Sequence, residues 1–161
     1  MTLKIRGSRA DCAMACAGSL VEIENPYNEN TDDTRLGTAK HEALAAMVRG
    51  DPIDVGAIAD YHQVDSDEIS RALSYGRQAW ADLRRWYPSP DAEIKIRGAV
   101  TEGTADVLSV SYAAESQKPS AISLLDWKTG WSHDEHGYQL MAYADAVRSI
   151  LGMPSSGYIT A

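Results

Sequence analysis

Pro88 divides the chain into two textures, and this division constrains the fold more than any other feature. Before it, apolar residues recur at helical spacing. After it come three short β-prone runs, AEIKIRGAV (92–100), GTADVLSVSY (103–112) and AISLLDWKT (121–129), separated by Gly, Ser, Pro and Lys. In the first half, Ser8 can cap a helix running through 12–22, and residues 24–33 (ENPYNENTDD) have the Pro, Asn and acidic content of a surface loop. A second helix is predicted from Thr34 to Gly50. A third starts at Asp65 or Ser66 and runs to Tyr87, with Ile69, Leu73, Ala79, Trp80 and Leu83 supplying its apolar face and Trp86 expected on the buried side with Trp80. After the strands, a capping box of Ser132 and Glu135 opens a last helix through 138–151. It closes at Gly152 before Pro154, and a terminal strand is expected over 156–161.

Helices, a three-strand meander, one helix and one strand make an α+β or α/β sandwich, in which helices cover a central mixed sheet of about four strands. The 161 residues, 44% of them hydrophobic, suffice for one domain and are too few for two, so residues 1–161 read as a single domain, minimal or cut short within its last strand. No apolar run approaches the ~20 residues that cross a bilayer, and the N-terminus carries charges where a signal peptide is apolar. A soluble, cytoplasmic protein is the expectation. Its cysteines, Cys12 and Cys16, lie four apart in a predicted helix and read as reduced thiols packed as small apolar groups. The net charge of −8 argues against a grip on nucleic acid by bulk electrostatics. Contact with phosphates would fall to a local basic surface such as Lys4, Arg6, Arg9, Lys95 and Arg97.

Asp126 and Lys128 lie two apart on a predicted strand, so both leave the same face about 7 Å apart, while Leu125 and Trp127 point the other way. Asp106 falls in the preceding strand. Neighbouring strands are about 4.8 Å apart, so the carboxylates of Asp106 and Asp126 can converge on one hard cation. Two carboxylates plus waters suit magnesium or manganese better than zinc. Lys128 can then orient or deprotonate a water that attacks a phosphodiester. A lone Asp-x-Lys pair is commonly a solvated strand end; the weight here comes from four motifs in one order. These are GTAKH (37–41), GTAD (103–106), DWKTG (126–130) and QLMAY (139–143).

This string resembles the RecB-like branch of the PD-(D/E)xK nucleases, which includes recombination and phage exonucleases and CRISPR-associated adaptation nucleases. The resemblance runs from about Ser8 to the C-terminus. It implies a restriction-endonuclease-like core and a Mg²⁺- or Mn²⁺-dependent deoxyribonuclease acting on single-stranded DNA or duplex ends. By this likeness His41 is a metal ligand supplied from a helix, Asp106 and Asp126 are carboxylate ligands, and the backbone carbonyl of Trp127 completes the set. Lys128 is the catalytic lysine, Gln139 and Tyr143 border the site on one helical face, and Glu93 takes the place of an acid on the strand before GxxD. Ala105 stands where the superfamily's name has proline. Some relatives carry an iron–sulfur cluster that needs three cysteines after the last helix; none follows Cys16, so no complete cluster is expected.

Gly37, one turn before His41, suggests a helix lying very close to another backbone. SHDEHG (132–137) clusters possible metal ligands, but consecutive helical residues point in different directions, and a cap with acids in the first turn accounts for them. Trp131 is the tryptophan best placed to touch nucleic acid. Two rival readings stand beside the nuclease: a non-catalytic nuclease-fold module that binds DNA or a protein partner, and a metal hydrolase of another phosphate ester.

Overall fold

A computed structural model describes residues 5–6, 31–99, 101–129 and 137–154. The predicted first helix with Cys12 and Cys16, the terminal strand, the Ser132–Glu135 capping box, Trp131, Lys4 and Arg9 lie outside the described residues.

Helix α1 (Asp32–Arg49) begins two residues earlier than the sequence suggested. Thr31 caps it by accepting from the Thr34 amide, Asp32 and Asp33 complement the helix dipole in its first turn, and Gly50 ends it at φ 76°. A short helix α2 (Val55–His62), capped by Asp54, was not anticipated. Helix α3 (Ser66–Leu83) is capped by Asp65 as expected but stops four residues short of Tyr87, passing into a 3₁₀ turn at Arg84–Trp86. That tightening carries Trp86 away from the apolar face. Trp80 is buried, whereas Trp86 is 61% exposed under the Arg85 guanidinium, contrary to the shared burial expected of them.

The sheet consists of the two-residue β1 (Ile5–Arg6), β2 (Pro90–Arg97), β3 (Thr101–Tyr112) and β4 (Pro119–Leu125). Strands β2, β3 and β4 form the expected meander, antiparallel throughout, with β3 in the middle. Only β1, paired to the start of β3, runs parallel. Among the described residues the sheet thus has three full strands, fewer than expected, and four α-helices accompany it. The last of these, α4 (Gly137–Ile150), packs Tyr143, Ala144, Ala146 and Val147 against Ile96, Ala105, Ile122 and Leu124. Val107 and Ala92 pack instead with Ala45 and Val48 of α1, Trp80 of α3 and Tyr87. Successive strand residues such as Leu124 and Leu125 point to opposite faces, so α1 and α3 cover one face of the sheet and α4 the other. No helix among the described residues is long and apolar enough to cross a membrane.

Among the described residues the expectation for Gly37 finds no support: outside its own helix and chain neighbours, none has an atom within 4 Å of where its Cβ would stand. The close helix approach occurs at Gly76 of α3, where a Cβ would meet Leu44 Cδ2 at 2.3 Å. Leu44 is buried in the cluster that binds α1 to α2 and α3, and so it holds the helix that carries His41. Leu44→Ala is expected to cost ~2–5 kcal/mol through lost burial and the cavity left behind. Tyr75→Ala, at an exposed site on α3, should stay within about 0.5 kcal/mol. Urea unfolding midpoints compare the two, and equal losses would contradict this packing.

Candidate metal centre

The register of the sheet sets three carboxylates in a row. Ala92 pairs with Val107 and Ile94 with Ala105, so Glu93 falls opposite Asp106. Leu125 pairs with Val107, so one further residue of β4 would bring Asp126 opposite Asp106 from the other side. Like charges directly opposite one another destabilise a ladder, and the ladder gives way here on both sides. Glu93 and Asp106 are not paired, and Glu93 takes a left-handed φ of 58°. Strand β4 ends at Leu125, so Asp126 and Lys128 follow the strand instead of lying within it as expected.

The backbone at Glu93 also resets which way the side chains face. Ala92 joins the α1 side of the sheet and Ile96 the α4 side; in β3, Val107 joins the α1 side and Ala105 the α4 side. The alternation therefore slips by one at this level. Both Glu93 and Asp106 turn to α1, where they line a cleft of about 600 Å³ together with His41.

There the ligating atoms of His41, Glu93 and Asp106 all lie within 4.8 Å of one another. His41 Nδ1 is 3.1 Å from Asp106 Oδ1, and the Trp127 amide donates to Asp106 Oδ2 at 2.5 Å. Trp127 thus engages the centre through its N–H, while its side chain packs into the apolar clusters on the α1 side. Asp106 is only 7% exposed. Its hydrogen bond raises the pKa of His41, burial opposes this, and the charges of Asp106, Glu93 and Asp126 add to the rise. Burial pushes the Glu93 carboxyl up, with the Asp106 charge adding to it. The causes differ in order, a hydrogen bond for His41 and burial for Glu93, but the negative charge of Asp106 adds to both shifts.

Asp126 and Lys128 form the second half of the site. Lys128 Nζ makes an ion pair with Asp126 Oδ2, so their side chains meet as the spacing predicted. Gln139 of α4 donates to Asp126 Oδ1 at 3.3 Å, and Lys128 Nζ reaches Gln139 Oε1 at 3.5 Å. Burial raises the pKa of the Tyr143 phenol, and Gln139 and the Thr104 backbone beside it oppose the rise. The phenol fits there because residue 103 is glycine; a Cβ would stand 2.2 Å from its oxygen. All eight sequence-selected residues thus belong to one neighbourhood, but their grouping differs from the expectation. Glu93 joins His41 and Asp106, while Asp126 is outside that triplet and faces Lys128 and Gln139.

The donor set fits a hard divalent cation. Two carboxylates favour magnesium or manganese, and the imidazole nitrogen weights the pair toward manganese. Asp126 Oδ2 is also buried without a hydrogen bond, although Lys128 lies against it as a charge. Arg49, Thr34 and Thr38 also line the cleft and were not selected from the sequence. The signal for them was present, because 34, 38, 41, 45 and 49 share one helical stripe. Lys95 and Arg97 of the anticipated basic surface are exposed on β2, where Arg97 pairs across to Glu102. Comparison with protein-family models, curated proteins and solved structures gives no match.

A cation bound here would compete with protons for the same side chains. His41 and Glu93 both have raised pKa values, so without metal their contribution stabilises the fold at low pH. It is lost as pH rises, Glu93 acting above 4.5 and His41 above 6.5. A ligating imidazole must be neutral, so Mn²⁺ should bind more tightly as pH rises through the same range and release a proton on binding. Melting curves in EDTA and in Mn²⁺, for wild type and His41→Asn, test this. The Mn²⁺-induced gain in Tm should grow with pH in wild type and shrink in the variant; a gain independent of pH and of His41 would remove His41 from the centre.

Proposed function

We propose that this protein is a metal-dependent nuclease that hydrolyses phosphodiester bonds in DNA at or near ends, as the resemblance to the RecB-like PD-(D/E)xK nucleases implies. The observation that carries the reading is the meeting of His41, Glu93 and Asp106 within 4.8 Å. They come from one helix and two strands, and the Trp127 amide joins them to the Asp126–Lys128 pair. An accidental surface cluster of acids does not explain a buried Asp106 held on both oxygens, by His41 and by the Trp127 amide.

His41, Glu93 and Asp106 would hold a Mg²⁺ or Mn²⁺ ion, with Asp126 close by. When bound, the ion supplies acidity to water and offsets the charge that builds on the phosphate. Lys128 has a separate task. Its ammonium, placed between Asp126 and Gln139, donates a hydrogen bond that orients the attacking water. Gln139 keeps Asp126 and Lys128 in register, with the buried Tyr143 beside it on the same helical face. Trp127 turns its ring into the core, so the amide that anchors Asp106 is rigidly placed.

The test is release of nucleotides from end-labelled single- and double-stranded DNA under Mg²⁺, Mn²⁺ and EDTA. Cleavage should require the cation. Lys128→Ala should reduce the rate by about 10²-fold or more while leaving Mn²⁺ affinity unchanged. Asp106→Asn should lose Mn²⁺ binding and activity together, since a neutral amide replaces an anionic ligand. Unchanged DNA binding in EDTA, with no nucleotide released under any metal, would overturn the enzyme and leave a non-catalytic module.

A further inference from the structure

Helix α1 presents more to the cleft than His41. Thr34, Thr38, His41, Ala45 and Arg49 recur at three- and four-residue intervals and form its helical wall. Cation binding leaves both ends of this wall unexplained. At one end Gly37 and the two threonines line the cleft with uncharged groups. At the other end Arg49 brings a guanidinium to a cleft otherwise lined by the acids Glu42, Glu93 and Asp106.

The Arg49 guanidinium is oriented. Its Nε donates to Asp51 Oδ2 at 2.7 Å, which tethers the head group by one edge. Among the described residues its terminal nitrogens have no partner, so a two-pronged edge is left open. Such an edge matches the paired oxygens of a phosphate, a geometry that lysine cannot reproduce. Arg49 also lies near enough to Glu93 for its charge to oppose the rise in that carboxyl's pKa. The eight residues from His41 to Arg49 span about 12 Å of helix axis, which the arginine side chain, leaning back toward the N-terminus, shortens. The guanidinium thus stands in the same cleft as His41, Glu93 and Asp106, toward the far end of α1. The cleft volume of about 600 Å³ is that of a small-ligand pocket, enough to receive a short run of one strand.

We infer that Arg49 binds the phosphate adjacent to the one cleaved and so seats a single nucleic-acid strand along α1, with Thr34, Gly37 and Thr38 flanking the strand on the far side of the cation. The inference rests on the nuclease reading and adds a strand path and a positioning residue to it. It also explains how an acidic protein holds a polyanion: the contact is one oriented fork within the cleft, beside the cation, and needs no broad basic surface.

The test is binding of a short fluorescent single-stranded DNA oligonucleotide, with Ca²⁺ replacing the catalytic cation, measured by anisotropy across a range of KCl concentrations. Arg49→Ala should weaken binding by about tenfold, as for loss of a charge-assisted hydrogen bond. It should also flatten the slope of log affinity against log salt by about 0.7, one phosphate contact on a single strand. Mn²⁺ affinity should not change. Arg49→Lys should restore the slope but only part of the affinity. Asp51→Ala, which removes the tether and keeps the charge, should leave the slope intact. An unchanged slope in Arg49→Ala, or a slope flattened as much in Asp51→Ala as expected for Arg49→Ala, overturns the inference. Wild-type nucleotide release is scored separately. Release with no Arg49-dependent slope keeps the nuclease and removes the strand seat, whereas an Arg49-dependent slope without release keeps the seat and removes the catalysis.

Discussion

The centre depends on the carboxylate of Asp106. It is buried on the middle strand of the sheet, with one oxygen turned to a helical histidine and the other held by the Trp127 amide just past the neighbouring strand. Helix α1, strand β3 and the segment after β4 are thereby joined at one anion. An ionised carboxylate taken out of water is costly unless it is paired and hydrogen-bonded, and Asp106 has both kinds of partner. A second acid, Glu93, beside it creates the charge excess that a cation would relieve.

The local backbone departs from a regular ladder at the same place. A regular three-stranded ladder would align Glu93, Asp106 and Asp126 side by side. The strands part at this level, Glu93 enters the left-handed region and β4 ends one residue before Asp126. A non-glycine residue with positive φ is uncommon and mildly strained, and such positions gather at functional sites. The slip in facing that accompanies it turns Glu93 and Asp106 toward His41 while leaving Ala105 in the core against α4. Local regularity is lost where the proposed chemistry requires convergence, the place where such departures are expected.

Much of this was legible in the sequence where the cause is local. Gly50 ending α1, Asp65 opening α3 and three strands between Pro88 and the last helix follow from capping and turn chemistry. Helix α2 was not legible, because eight residues are too few to display an amphipathic repeat. Trp86 was misplaced because a helical pattern does not reveal where the last turn tightens to 3₁₀. In the site, the i, i+2 relation of Asp126 and Lys128 and the i, i+4 relation of Gln139 and Tyr143 could be read from spacing alone. The contact between His41 and Asp106, 65 residues apart, could not. Nor could the entry of Glu93 into the triplet, which depends on a backbone torsion that no residue-type pattern encodes.

The proposed nuclease reconciles an acidic chain with a polyanionic substrate through opposite charges placed in series along one helix: a cation held by His41, Glu93 and Asp106, then the guanidinium of Arg49. Everything functional depends on the first of these. Crystals soaked in Mn²⁺ and measured for anomalous scattering test it most directly. The account predicts a single strong peak in contact with His41 Nδ1 and the carboxylates of Glu93 and Asp106. A peak elsewhere, or none at a manganese concentration that saturates the protein in solution, would contradict it.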